Sequence, residues 1–188
     1  MKFVMVVLFV LFGQTVFAKE SVKMPFPPQI QDSLPWFAVR ELSDNNTPFT
    51  RLHLQQLAEK NKRVALVYFA TWCIPCRVGL KQIADHREDL AQAGTAVVLV
   101  NVGERDTEML LKYLNKFSLD QMKAVVDPFG RLTEGFGLKK ENENMSLPRT
   151  IVVNSQLMPM FMIGEEGDDF ISVLKGNDEQ SMQSLNFK

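Results

Sequence analysis

The only two cysteines of the chain stand three positions apart in Trp72-Cys73-Ile74-Pro75-Cys76. The run before them, Val64-Ala65-Leu66-Val67-Tyr68-Phe69, is apolar without alternation, as a strand covered on both faces is. A helical pattern begins directly behind the second cysteine. A Cys-x-x-Cys at such a strand-to-helix turn places the first sulfur at a helix N-terminus, where unpaired N–H groups and the positive dipole end favour a thiolate. A thiol of pKa ~8.5 is a few per cent ionised at pH 7, and lowering it to ~7 makes about half of it reactive. Cys73 is therefore the expected nucleophile. Cys76, one turn on and facing inward, is expected to attack the mixed disulfide that Cys73 forms.

Other uses of two cysteines fit less well. A bridge across so short a loop removes little chain entropy and is a poor staple. A structural zinc needs four ligands, and the chain has two Cys and two His in all. His86 would lie about 15 Å from Cys76 on one continuous helix; His53 precedes the strand, where spacing leaves it open and a lone surface histidine is the expectation. No metal site and no small cofactor are expected.

The residues Phe69-Ala70-Thr71-Trp72-Cys73-Ile74-Pro75-Cys76-Arg77 resemble the thioredoxin superfamily, most closely its TlpA/ResA-like periplasmic branch. The resemblance implies an α/β thioredoxin-like fold: a mixed central sheet with helices on both faces and an extra central strand-helix unit. It implies a cis-proline facing the cysteines, and Pro148 matches that position. The backbone of Leu147 would then pair with an extended partner segment. Trp72, Ile74 and Pro75 would form an apolar rim, and Gly164 matches a position where backbone approaches the partner. The chain departs from the family at three places. Val67 stands where a buried acid is common, which implies no internal base for Cys76 and proton transfer through water. Lys81 replaces a helix proline, which implies a straighter helix. The segment between Leu138 and Pro148 is long, and its residues 139–146 are candidates for partner contact or an idle loop.

The rest of the chain agrees with one folded unit. With 46% apolar and 23% charged residues and a net charge of -1, it reads as a globular protein with no basic patch for nucleic acid. Residues 1–18 carry Lys2, an apolar run and small residues before Ala18, the pattern of a signal peptide cleaved after Ala18; an uncleaved membrane anchor is the alternative. Residues 19–34, rich in proline, read as an extended linker. Residues 35–176 read as the domain and 177–188 as a flexible tail. Within the domain the pattern predicts a short strand at 36–42 and a helix, or a strand running into one, at 50–60. It then predicts strands at 63–69, 95–102 and 122–126, with helices at 73–92 (Val78, Ile83 and Leu90 inward), 107–117 and from Asp127-Pro128 onward. A strand pair around Asn154-Ser155-Gln156 and a helix at 168–175 close the chain.

The expected activity is thiol–disulfide exchange at Cys73 and Cys76 in a periplasmic or secreted monomer. It would reduce disulfides of partner proteins and be recharged by a membrane electron donor. A disulfide-introducing oxidase or isomerase, a peroxidase and a copper-carrying module are the alternatives.

Overall fold

The computed structural model describes residues 18–32, 34, 37–42, 50–139 and 145–177. Its centre is a six-stranded sheet. The strands, in chain order, are β1 (Val22–Met24), β4 (Arg63–Phe69), β5 (Thr95–Val102), β6 (Lys123–Asp127), β7 (Arg149–Asn154) and β8 (Pro159–Glu165), arranged β1-β8-β7-β4-β5-β6. β4, β5 and β6 run parallel, and β7, β8 and β1 add antiparallel. β2 (Ala38–Arg40) and β3 (Arg51–His53) form a separate two-stranded sheet.

All seven residues of β4 are buried, which explains why its sequence shows no alternation. Ala65, Val67 and Phe69 face one core, shared with α2 (Cys76–Asp85), α3 (Arg87–Gln92), α4 (Thr107–Asn115) and α6 (Phe170–Leu174). Val64, Leu66 and Tyr68 face the other, packed against α1 (Leu54–Glu59), Phe37 and Phe136, the residue after α5 (Arg131–Gly135). The thioredoxin-like arrangement expected from the cysteine loop is present.

Several local expectations are corrected. The stretch 19–34 is not a free spacer: β1 pairs with β8, Pro28–Ile30 form a turn of 3-10 helix, and Ile30 and Leu34 are buried. Two scattered apolar residues, Ile30 and Leu34, outweigh the proline content here because both pack into the core. The helix expected over 73–92 is two helices. It breaks at His86, whose backbone leaves the helical region (φ -123°, ψ 21°). Val78 points to solvent, 54% exposed, while Ile83 and Leu90 are inward as expected. Asp127 does not start a helix at Pro128; its carboxylate reaches forward to accept from the Thr133 N–H (2.9 Å) and hydroxyl (2.6 Å), inside α5. Asp106 caps α4, accepting from the Met109 N–H at 2.9 Å. Residues 1–17, Trp36, residues 43–49, residues 140–144 of the long loop and residues 178–188 lie outside the described residues.

Candidate active site

The cysteine loop leaves the carboxyl end of β4 and is held at its entry. The Thr71 N–H donates to Glu104 Oε2 at 2.9 Å, the Thr71 hydroxyl donates to Oε1, and Asn101 Nδ2 donates to Oε2 at 2.6 Å. The parallel register makes this clamp: Asn101 lies beside Phe69, so the residues just after β5 reach those just after β4. Nothing in the local sequence pointed to Glu104; only the register of β4 on β5 reveals it.

The loop then turns into α2. The Cys73 N–H donates to Ala70 O, and Pro75 stands before the first helical residue with φ -62°, the value its ring imposes. Cys73 and Cys76 are joined by a disulfide, with Cα atoms 5.4 Å apart. The Cys76 N–H donates to Cys73 Sγ at 3.2 Å, so one of the unpaired donors of the helix start is aimed at the first sulfur. In this oxidised form both cysteines are buried, at 3% and 2% exposure, rather than Cys76 alone. Trp72 and Ile74, by contrast, are 64% and 70% exposed, and Pro75 is exposed as well.

The second half of the site comes from β7. The Leu147–Pro148 peptide bond is cis. Tyr68 pairs with Arg149, so Leu147 and Pro148 sit at the same sheet end as the cysteine loop. Trp72 and Leu147 both line a cleft of about 480 Å³. Its far wall holds Phe129, with the Arg105 guanidinium 4.7 Å over the ring. Gly164 is not open to a partner here: Met24 of β1 packs against it, in the space where a side chain would stand.

An acid does lie in this core, although Val67 provides none. Glu166, just past β8, is buried. Its carboxylate fills the space beside Gly79 that a Cβ would occupy, one turn along α2 from Cys76. A glycine inside a helix costs about 1 kcal/mol relative to alanine, and the room it gives this carboxylate is its structural use. Oε1 accepts from the Thr150 hydroxyl at 3.5 Å, and Oε2, against the Gly79 backbone, has no well-formed hydrogen bond. Burial pushes its pKa up to about 8, against smaller opposing effects of the Thr150 hydroxyl and the Gly79 backbone. A buried carboxyl is thus present in this core, supplied by another element than the strand that carries Val67.

The chain matches the AhpC/TSA family over residues 30–158. It belongs to that family. Solved structures show the same fold. A secreted thiol-disulfide isomerase from Corynebacterium glutamicum is similar at 24% identity and a TM-score of 0.59, over 75% of this chain and 80% of that one. A thiol:disulfide interchange protein from Chlorobium tepidum is similar at 16% identity and a TM-score of 0.62, over 78% and 94%. A 2-Cys peroxiredoxin from Plasmodium vivax is similar at 13% identity and a TM-score of 0.63, over 82% and 99%. Membership of this family, together with the oxidised Cys73–Cys76 pair, makes the chain a thiol–disulfide oxidoreductase.

Proposed function

We propose that the chain reduces disulfides of extracytoplasmic partner proteins, as a member of the TlpA/ResA-like branch, with Cys73 as nucleophile and Cys76 as resolving thiol. The observation that carries the assignment is the Cys76 N–H aimed at Cys73 Sγ at the start of α2, which stabilises a thiolate on Cys73. Trp72, Ile74 and Pro75 on one side and Leu147 on the other form the surface that receives the partner, with the cis Pro148 buried next to Leu147 in the chain. The leader-like sequence of residues 1–18 supports a periplasmic or secreted location. Among the described residues no helix is long and apolar enough to cross a membrane.

The surroundings of the sulfurs support a direction of electron flow. A strong oxidant needs an unusually stable reduced form, usually through a cation or donor between the cysteines. Ile74 and Pro75 offer none, and the Arg77 guanidinium reaches back toward Thr71 O at 3.5 Å, an exposed contact. The helix start alone contributes about 0.3–2 kcal/mol, and since ~30 mV corresponds to ~1.4 kcal/mol, the shift amounts to tens of millivolts. The chain is therefore a reductant, nearer ~-270 mV than ~-120 mV, recharged by a dedicated donor through a membrane protein. Equilibration with glutathione buffers tests this. A potential above about -180 mV would reassign the protein as an oxidase or isomerase.

A further inference from the structure

The cysteine pair accounts for the electrons of the exchange but not for the proton of the shielded thiol. Cys76 is 2% exposed, and Gly79, three residues on, lies on the same face of α2, its Cβ position about 5–6 Å from that of Cys76. The Glu166 carboxyl occupies the Gly79 position. We propose, building on the function above, that Glu166 carries the proton of Cys76 during disulfide exchange.

When a donor dithiol recharges the protein, a donor thiolate bonds to Cys73 Sγ and the Cys73–Cys76 bond breaks. The electron pair goes to Cys76 Sγ, which takes the proton of the Glu166 carboxyl. The donor's second thiolate then attacks its own bridged sulfur, and Cys73 leaves as a thiolate. When the reduced protein meets a partner disulfide the steps reverse. Cys73 attacks and one partner thiolate leaves; Cys76 gives its proton to the Glu166 carboxylate and displaces the second partner thiolate from Cys73. Two electrons pass to the partner and the pair is again oxidised.

The surroundings of Glu166 suit a group that alternates between acid and carboxylate. From β7 it faces the Thr150 hydroxyl; Arg149 projects to the opposite side of the sheet. From α2 it faces Gly79 and the neighbouring Gln82, whose amide donates to Gly167 O at 3.1 Å. The charged residues of α2 nearby, Lys81 and Asp85, pair with each other at the surface. Glu165 pairs with Lys19, and Asp168 and Asp169 accept from the backbone N–H groups of Lys19 and Ser21. Among the described residues no charge is thus committed to Glu166. Among the described residues, Glu166 Oε2 and Gln82 Oε1 are both buried acceptors without a donor, and a proton on the carboxyl supplies one. The raised pKa, about 8, agrees with a carboxyl that holds its proton in the oxidised protein.

The test is a stopped-flow reaction of the reduced protein with one equivalent of the chromogenic disulfide dithiobis(nitrobenzoate). The first coloured thiolate reports attack by Cys73 and the second reports resolution by Cys76. Glu166→Gln is expected to leave the first phase within about twofold, and to slow the second at least about tenfold at pH 7 with its pH midpoint moved upward. Gly79→Ala, which displaces the carboxyl, is expected to do the same. Thr150→Val keeps the acid but removes the hydroxyl that favours its ionised form, and is expected to raise the midpoint of the second phase alone; it stands in if Glu166→Gln does not fold. An unchanged second phase in Glu166→Gln would overturn the proposal, as would equal slowing of both phases with an unchanged midpoint. Wild-type protein that releases a single thiolate, as Cys76→Ser should, would overturn the assignment of Cys76 itself, and the role of Glu166 with it.

Discussion

The cysteine loop and the Glu166 corner meet on one helix, yet they are built in opposite ways. The loop is contiguous: strand, turn, sulfurs and helix start follow one another from Arg63 to Asp85. The corner is assembled from three distant places, Gly79 on α2, Thr150 on β7 and Glu166 beyond β8. A contiguous device is fixed by local backbone preference. An assembled one depends on sheet register, and each of its members looks ordinary on its own. The difference predicts that damage to the loop removes chemistry, whereas damage to the corner changes how the chemistry responds to pH.

The largest effect tests the loop. Cys73→Ser is expected to reduce turnover of a protein disulfide to the uncatalysed level, measured with insulin as substrate. Retained turnover would break the contrast at once. The next effect belongs to the corner. Glu166 keeps its proton in the folded oxidised protein up to about pH 8, whereas an unfolded glutamate loses it near 4.5. Between those values the native state binds the extra proton, so stability falls as pH rises, by about 1 kcal/mol per unit, and the contribution is complete only below the unfolded value. Urea unfolding of oxidised wild type and Glu166→Gln at pH 5 and pH 8 reads the difference. The wild type is expected to lose more stability than the variant over that interval; parallel losses would show that Glu166 is not a buried acid.

A smaller effect separates the loop's chemistry from its anchoring. Glu104→Ala removes the acceptor of three hydrogen bonds, two of them from Thr71, and should cost about 1–3 kcal/mol in urea unfolding. The smallest is Trp72→Ala. With the side chain 64% exposed, stability is expected to change by less than about 0.5 kcal/mol. Reaction with a protein disulfide should slow while reaction with a small disulfide does not. Equal slowing of both would remove Trp72 from the partner surface.

What the sequence revealed follows the same division. β4 was legible because a strand buried on both faces leaves an unbroken apolar run, and the cysteines were legible because their spacing is itself the device. Pro148 was legible only through resemblance. The break at His86 was not, since the apolar positions Ile83 and Leu90 suit one helix as well as two. Val78 was misread because the buried stripe of α2 runs through Cys76, Gly79, Leu80 and Ile83, and a residue two positions from Cys76 falls about 200° round the helix from it. Glu166 was invisible because the residue that explains it, Gly79, lies almost half the chain away, and a lone glycine in a helix pattern has many meanings.

The short strand β1 has a further consequence, for solubility. Without it β8 would be the outer strand on its side, presenting the backbone of Met162, Ile163 and Glu165 as a template for another chain. β1 takes that outer place with three exposed residues that include Lys23, and Pro25, Pro27 and Pro28 follow at once, so the sheet ends in a strand too short and too interrupted to recruit a neighbour. On the far side the bridge between Glu41 and Val125 blunts β6 in a similar way. A version trimmed to begin at Pro25 would keep the cysteines and Glu166 but uncover this stretch of β8, and its tendency to form fibres or aggregates would rise with concentration.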